Sequence, residues 1–497
     1  MRSLPELSPP KVPDVHQPAK NLITQERNYK LITPLYGGGV EPSQADPITL
    51  IRGTSIRGQL RFWWRACRAG QFSDVKEMKT FEDKLWGTIS DNKKEDTQSK
   101  VKVAVKVNYS GEAVRPFRVE QKKDRDGNPQ YYSNEKPIPD VKIDEENRAP
   151  AYAVFPLRPE QEKQEIGMVT TPIIKGVSFT LKISFPEKLQ ISFPEKLQKE
   201  DIYIDVKKEV EAALWAWETF GGIGARTRRG FGAIQLVSIN QNNKSLEITL
   251  PEFDGVETFI KDGLRIHVKS SKWPKDVPHL SHELNFKVVL TTVGKKGKRN
   301  FADAFDAWKH LINRLKNFRQ ERNNPSDKYH PGRSRWPEPD TIRNLTGQYI
   351  EKHKPKFHKE DKLNSFPRAA FGLPIIFEFK DRDKNNPSNP CREPRTTILT
   401  LSKSDRLASP LILRPFICKN GQTVGLAIIL EGTQRLLDQK EILLSSNDKN
   451  RKKIKENLTV KVKKEEADRI LKSDDKTKLL EKETDVLKAF LEWLVRN

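Results

Sequence analysis

Hydrophobic positions recur with two different periods along the chain, and each period predicts a different kind of element. Alternation with a period of two is typical of strands, and recurrence every three to four residues is typical of helices. In the first half, alternation predicts strands at 29–35, 101–107, 177–185 and 233–238, and the helical period predicts helices at 54–68 and 205–219. Ser55 is the predicted N-cap of the first helix, and a second short helix is expected to end near Leu85-Trp86-Gly87.

The second half repeats such patterns less regularly. Strands are predicted at 264–268, 284–292 and 424–430, a helix at 301–318, and a C-terminal amphipathic helix from about 484. That last helix carries its apolar residues on one side and is expected to pack on the second domain, through Leu487, Phe490, Leu491 and Leu494.

Three polar segments separate these patterns. Residues 120–148 are expected to form a hairpin or a disordered loop, and 241–263 a linker. The octapeptide Ile183–Gln190 is repeated unchanged at 191–198, and each copy contains a proline. Since proline is excluded from central strands, we expect the duplication to lengthen a surface loop.

The length of 497 residues is enough for two or more domains with sizeable cores. The pattern predicts a flexible arm at 1–20, a first domain at 21–255 and a second domain at 256–497.

Lys and Arg number 90 and Asp and Glu 67, a net charge of +23. This excess favours an anionic partner, most often nucleic acid, although composition alone does not separate nucleic acid from an acidic membrane surface. No apolar run approaches the roughly 20 residues that span a bilayer, and the proline-rich start lacks the apolar segment of a signal peptide. Three distant cysteines, Cys67, Cys391 and Cys418, indicate reduced thiols in a cytoplasmic protein.

The helix at 54–68 combines four arginines with two adjacent tryptophans and contains no acid. Its arginines fall within about 80° of one another on the helix; they are Arg57, Arg61, Arg65 and Arg68. Such a row repels itself unless an anion lies along it, and guanidinium groups bind phosphate in a bidentate fashion. Trp63 and Trp64 are expected to hold the helix against the core rather than to stack on bases. An ordinary solvated basic face is the alternative.

Two glycine-rich loops complete the candidate site. Gly37–Gly39 forms a tight loop with no Gly-Lys-Ser/Thr after it, which argues against a nucleotide site. The loop at 221–232 follows the C-terminal end of a helix, whose dipole disfavours phosphate. Its attraction for a ribose-phosphate backbone comes from side chains instead, from Arg226, Arg228 and Arg229. A flexible basic turn is the alternative.

The sequence offers few candidate catalytic residues. There are eight histidines, and His279 and His282 lie three apart without the further ligands of a zinc site. No nucleophile or metal motif is visible. This agrees with a binding function, with no metal and no cofactor expected.

These residues resemble a known family. Thr-Pro-Leu-Tyr-Gly-Gly-Gly at 33–39, Ser-Ile-Arg-Gly-Gln-Leu-Arg-Phe-Trp-Trp-Arg at 55–65 and the loop at 221–232 resemble the RAMP superfamily of CRISPR proteins, and more narrowly the subunit-one family of the type III-B Cmr complex. The resemblance extends over most of the chain, through 332–340, 371–375 and 406–414.

The resemblance implies an α+β fold of two ferredoxin-like (RRM-like) βαββαβ domains with insertions. It implies a subunit at the head of an RNA-guided complex, near the 3′ region of the guide RNA, that helps to capture target RNA beside other Cmr subunits and is not a nuclease. No aromatic signature for base stacking is visible, so contacts with phosphate and ribose are expected.

The residues expected to bind RNA are Arg52, Arg57, Arg61, Arg65, Arg226, Arg228, Arg229, Lys295 and Lys296. Those expected to be structural are Trp63, Trp64, Gly37, Gly38, Gly221, Gly222, Gly224 and Gly230. One alternative is a RAMP endoribonuclease that processes precursor guide RNA, and it is weakened because His16 is the only histidine in the first 260 residues. Another is a basic scaffold that binds only proteins.

Overall fold

The computed structural model describes most of the chain. The described residues are 22–41, 43–88, 98–160, 164–191, 202–294, 297–320, 322, 333–354, 365–379, 393–402, 404, 406–432, 442–447, 452–460 and 484–495. The predicted arm at 1–20, Lys295, Lys296, Cys391 and residues 192–198 of the second octapeptide copy lie outside them.

Both halves contain strands and helices. The strands of the first half are β1 (Leu22–Leu31), β2 (Lys102–Tyr109), β3 (Glu112–Val114), β4 (Phe117–Gln121), β5 (Pro139–Ile143), β6 (Ile173–Lys175), β7 (Ser178–Pro186), β8 (Lys188–Ile191), β9 (Ile202–Asp205), β10 (Ile234–Gln241) and β11 (Lys244–Leu246). Those of the second half are β12 (Phe286–Val289), β13 (Thr291–Gly294), β14 (Gly297–Asn300), β15 (Ile375–Phe377), β16 (Thr397–Leu401), β17 (Leu411–Ile417), β18 (Thr423–Ile429), β19 (Ile442–Ser446) and β20 (Lys453–Leu458). The helices are α1 (Gly53–Arg68), α2 (Val75–Trp86), α3 (Ala151–Val154), α4 (Val206–Phe220), α5 (Val256–His267), α6 (Ala304–Gln320), α7 (Glu338–Thr346) and α8 (Val486–Val495).

The main sheet of the first half has five strands in the order β11-β10-β1-β7-β2. All neighbouring strands are antiparallel, and the register places Tyr29 opposite Phe179. Along β7 every second residue is buried, as the alternation predicted: Phe179, Leu181, Ile183 and Phe185. This apolar face packs against α1 and α4 in one core. The four longest strands of this sheet are β1, β2, β7 and β10, and they lie side by side in the order β10-β1-β7-β2.

In the second half, β12, β18 and β17 form a three-stranded antiparallel sheet that α6 contacts. Strands β15, β16, β19 and β20 form a separate four-stranded sheet. The predicted helix at 301–318 and the predicted C-terminal helix are confirmed, and the apolar side of α8 is buried. The mixed α+β class with antiparallel sheets is confirmed.

The two largest hydrophobic cores draw side chains from both halves of the chain. The core beneath the five-stranded sheet includes Ile412 and Phe416 of β17. The other core, built around Trp308 of α6, includes Tyr36 and Phe231 of the first half. The halves are therefore packed together across the predicted boundary at 255/256.

Several local predictions are wrong for identifiable reasons. Helix α1 begins at Gly53, and the carbonyl of Arg52 accepts its first backbone hydrogen bonds, so Ser55 lies inside the helix and does not cap it. The predicted linker at 241–263 contains β11 and most of α5, and the predicted strand at 264–268 begins as the last turn of that helix.

The prediction that the octapeptide lies in a surface loop is also wrong for its first copy. It runs through β7 and β8, and β7 is flanked by β1 and β2 in the sheet. Pro186 is tolerated because it is the last residue of β7. The segment at 120–148 contains the hairpin of β4 and β5, one of the two predicted alternatives.

Two partly buried histidines predict how stability depends on pH. Burial, with a smaller contribution from Arg68, lowers the pKa of His267 to about 4, and burial lowers that of His310 to about 4 as well. The unfolded chain therefore binds more protons between pH 6.5 and 4, and stability falls as the pH falls through that range. From pH 7 to 5 we expect a loss of about 2 kcal/mol per histidine.

Calorimetric thermal midpoints at pH 7 and pH 5 test this expectation. The double variant His267→Gln/His310→Gln should show a smaller difference between the two midpoints than the wild type. An unchanged difference in the double variant would contradict the expectation.

Among the described helices, none is both long enough and apolar enough to span a bilayer.

Candidate nucleic-acid interface

Three segments that are distant in the sequence meet on one side of the first half. The loop at 36–39, the start of α1 and the loop at 221–232 are joined by hydrogen bonds: Ala225 N–H donates to Tyr36 O at 2.7 Å, and Arg52 Nη2 donates to Gly38 O. The guanidinium of Arg226 lies 5.9 Å from the centre of the Tyr36 ring. The arginine helix and the glycine-arginine loop therefore converge at the loop that precedes the helix.

The close approach of these loops requires glycine. Gly224 has φ +82°, and a Cβ there would lie 2.7 Å from the carbonyl oxygen of Tyr36. Gly38 has φ +99° and faces the backbone of Gly224. Both positions have a left-handed backbone that favours glycine, and at Gly224 the space for a Cβ is also filled by the neighbouring segment.

Three arginines remain available on this surface. Arg226 is exposed and Arg52 and Arg57 are partly exposed. Within the described part of the chain, Arg57 has no ion pair. Asp46, beside Arg52, accepts the backbone N–H groups of Ile48 and Thr49. These side chains supply positive charge at the solvent boundary.

The other arginines of α1 have acidic partners inside the protein. Arg61 Nε lies 2.7 Å from Glu82 Oε1, and Arg65 contacts the same carboxylate at 2.5 Å. Arg68 is buried against Glu209. The expectation that the row needs an external anion is therefore wrong for Arg61, Arg65 and Arg68, because α2 and α4 supply the negative charge. Whether Arg61 and Arg65 also contact RNA stays a prediction.

The two tryptophans of α1 lie in the core. Trp63 and Trp64 are 3% and 0% exposed, and Trp64 Nε1 donates to Glu209 Oε2 at 2.7 Å. A Cβ at Gly221 would lie 2.7 Å from Trp63 Nε1, and one at Gly222 would lie 2.8 Å from the carbonyl oxygen of Gly232. These glycines allow the start of the loop at 221–232 to pack closely against α1 and against the end of the same loop.

Arg228 and Arg229 bind the second half of the chain. Arg228 donates to Ser409 O, and Arg229 donates to Leu411 O and Phe371 O at 3.2 Å each. At Gly230, with φ +79°, a Cβ would lie 2.7 Å from Trp308 Cδ1. These two arginines therefore join the halves, and RNA contact by them stays a prediction. The guanidinium of Arg228 also lies 5.6 Å from the Phe62 ring of α1.

Arg414 of β17 is a residue that sequence reasoning missed. It is 1% exposed and donates to the carbonyls of Glu218 at 2.9 Å, Gly221 at 2.8 Å and Ile234 at 2.8 Å. Burial lowers its pKa, yet the guanidinium stays protonated at neutral pH. It supports the C-terminal end of α4, where the glycine-arginine loop begins. A lone arginine in an apolar strand, Leu411–Ile417, was the available signal.

The described residues contain no cluster of three or more side chains suited to a metal ion. His279 is buried and stacks on Trp273, with ring centroids 4.0 Å apart, and His282 Nε2 lies 3.0 Å from Val268 O. Neither histidine lies in the loops described above.

The segment that contains both glycine-rich loops and α1 matches a known family. Residues 28–235 match the family model of the RAMP superfamily. The resemblance seen in the sequence is thereby confirmed for this RAMP-matching segment, which includes Arg52, Arg57 and Arg226. No curated protein matches the chain.

Two solved structures similar to the chain are of the same kind of complex. A chain of the cryo-EM structure of the Type III-B Cmr-beta bound to cognate target RNA is 14% identical, with a TM-score of 0.42, and the match covers 83% of this chain and 95% of that chain. A chain of Cmr-beta bound to cognate target RNA and AMPPnP, state 2, in the presence of ssDNA, is 12% identical, with a TM-score of 0.42 and coverage of 96% and 99%.

Proposed function

We propose that this chain is a non-catalytic RNA-binding subunit of a type III-B CRISPR (Cmr) effector complex, corresponding to subunit one. In this proposal it has two ferredoxin-like halves, lies at the head near the 3′ region of the guide RNA, and helps to capture target RNA in the cytoplasm. The observation that carries the proposal is the convergence of Arg52 and Arg226 on the loop at 36–39, beside the first turns of α1 that hold Arg57, inside the RAMP-matching segment.

The chemistry of this surface suits a ribose-phosphate backbone. Guanidinium groups pair with phosphate, and such contacts hold a nucleic-acid backbone without reading its bases. The neighbouring aromatic rings are turned inward: Tyr36 is buried, and the guanidinium of Arg228 covers Phe62. Sequence is then read by pairing between guide and target, and this subunit holds the backbone.

Replacing three arginines tests the proposal. For Arg52→Gln/Arg57→Gln/Arg226→Gln we expect the slope of log K against log salt for single-stranded RNA to fall by about 2, since each phosphate contact contributes about 0.7. At 0.1 M salt this corresponds to roughly 100-fold weaker binding, similar for any RNA sequence. Fluorescence anisotropy across a salt series measures both quantities.

A matched control removes the same charge elsewhere. Arg125, Arg158 and Arg265 are exposed and lie outside the three converging segments, so their triple glutamine variant should change the slope by less than 0.5. Equal slopes for the two variants would contradict the assigned surface. RNA recovered from the same reactions is expected intact, and discrete fragments of precursor guide RNA would favour an endoribonuclease instead.

A further inference from the structure

The five-stranded sheet has a second face, which points away from α1 and α4. The helices that contact this sheet among the described elements pack on its apolar side. On the other side, the outward positions of β1, β7 and β2 are polar or small: Thr24, Glu26, Asn28 and Lys30; Ser178, Thr180, Lys182 and Ser184; Lys102, Ala104, Lys106 and Asn108. We call this surface the outer sheet face.

Side chains on the outer sheet face are joined in a continuous chain of hydrogen bonds. Asn108 Nδ2 donates to Thr180 Oγ1 at 2.9 Å, Thr180 Oγ1 donates to Asn28 Oδ1 at 2.5 Å, and Asn28 Nδ2 donates to Ser238 Oγ at 2.7 Å. The chain crosses four strands, β2, β7, β1 and β10. It fixes the rotamers of these side chains, so their polar groups are ordered before any partner arrives.

Four lysines project from this ordered surface. Lys30, Lys102, Lys106 and Lys182 are exposed, and Glu26 is the one acid among the outward positions named above, so their net charge is +3 (four minus one). Glu26 lies 3.3 Å from Lys182. The other three lysines have no acid partner among the described residues.

The lysines are close enough to act together. Lys102 and Lys106 are four residues apart on one strand, or roughly 13 Å. Lys182 lies on the adjacent strand opposite Ala104, midway between them. Separations of this size are comparable to the Debye length of about 10 Å at 0.1 M salt, so an anion that lies along the face is attracted by more than one lysine at a time.

The composition of the face selects the class of partner. A stable protein interface needs a buried apolar centre, and the centre of the outer sheet face offers hydroxyl, amide and ammonium groups. Those groups donate hydrogen bonds to phosphate and ribose oxygens without reading bases. We propose that the outer sheet face is a second binding surface for a ribose-phosphate backbone, separate from the converging loops.

This inference rests on the proposed RNA-binding function and adds a second contact to it. The two surfaces lie on different sides of the first half, because the loops belong to the helical side and the lysines to the opposite face. A bound RNA therefore either passes around the edge of the sheet or contributes two strands.

The test compares two quadruple glutamine variants that lose the same charge. One replaces Lys30, Lys102, Lys106 and Lys182. The other replaces exposed lysines of α2, α4 and α5, namely Lys76, Lys79, Lys208 and Lys261. Single-stranded RNA and an RNA duplex of arbitrary sequence serve as probes, and thermal midpoints establish that both variants are folded. We expect the first variant to lower the salt slope by 2 to 3 and the second by less than 0.5.

The outcomes separate this inference from the proposed function. Wild-type protein that binds neither probe at low salt would defeat the proposed function and this inference with it. Wild-type binding that is weakened by the arginine variant, but equally little by both lysine variants, would overturn the outer sheet face alone. Loss of a co-purifying acidic protein from the first lysine variant, with an unchanged RNA slope, would also overturn it. Additive slopes in the combined seven-residue variant would support two separate surfaces.

Discussion

Arg414→Ala is expected to destabilise the folded protein by about 3–5 kcal/mol, because it leaves three buried carbonyl groups without their donor and opens a cavity. The carbonyls belong to the end of α4, the start of the glycine-arginine loop and β10, whereas Arg414 belongs to β17. A single side chain of the second half thus supports three positions of the first half. We expect the loss to appear in the stability of both halves.

Differential scanning calorimetry measures this effect. The apparent midpoint of Arg414→Ala should be lower than that of the wild type by roughly 5 °C or more. The midpoint of Arg414→Lys should lie between those two values, since an ammonium group retains the charge but not the planar fork of hydrogen-bond donors. Arg406→Ala is the matched control, because Arg406 is exposed and precedes the same strand. Equal midpoints for the alanine variants at 406 and 414 would show that the buried hydrogen bonds contribute nothing.

Elements whose local pattern and tertiary environment agree were predictable from the sequence. Helix α4 is one case: Asp205 accepts the N–H of Lys208 at 3.1 Å as an N-cap, and the apolar side of the helix is buried as the period required. Strands β2 and β7 are others, since alternation alone specifies which face of a strand is buried.

Helix α5 shows why other elements were missed. Gly263 lies inside it, where glycine ordinarily disfavours a helix by about 1 kcal/mol. A Cβ at this position would lie 2.3 Å from the Trp215 ring, so the glycine allows α5 to pack against α4. The benefit depends on a residue 48 positions earlier, and no local pattern contains it.

The candidate site, too, was predictable from the sequence only in part. The sequence identified α1 and both loops, because arginine and glycine are concentrated there. It could not show which arginines pair internally, because Glu82 and Glu209 belong to α2 and α4. A helical projection of α1 alone displays its charges but not the acids that neighbouring helices place against them.

Glu209→Ala is expected to destabilise the protein by about 3–5 kcal/mol, as is typical when one partner of a buried ion pair is removed. Glu209 is 3% exposed and accepts hydrogen bonds from Arg68 Nε at 3.0 Å and from Trp64 Nε1 at 2.7 Å. Its loss leaves a buried guanidinium unpaired and an indole N–H without its acceptor. Because α1 and α4 are joined through this carboxylate, we expect the packing of the arginine helix to loosen as well.

Two further variants separate the charge from the hydrogen bonds. Glu209→Gln keeps an acceptor for Trp64 but removes the negative charge, so its midpoint should lie between those of the wild type and Glu209→Ala. Glu211→Ala, on the same helix, loses only a 3.8 Å contact with Lys207 and should cost less than about 0.5 kcal/mol. Differential scanning calorimetry measures the thermal midpoints of these variants. If Glu209→Ala unfolds at the same temperature as Glu211→Ala, then the buried pair with Arg68 does not stabilise the contact between α1 and α4, and the internal neutralisation of the arginine row has no structural consequence.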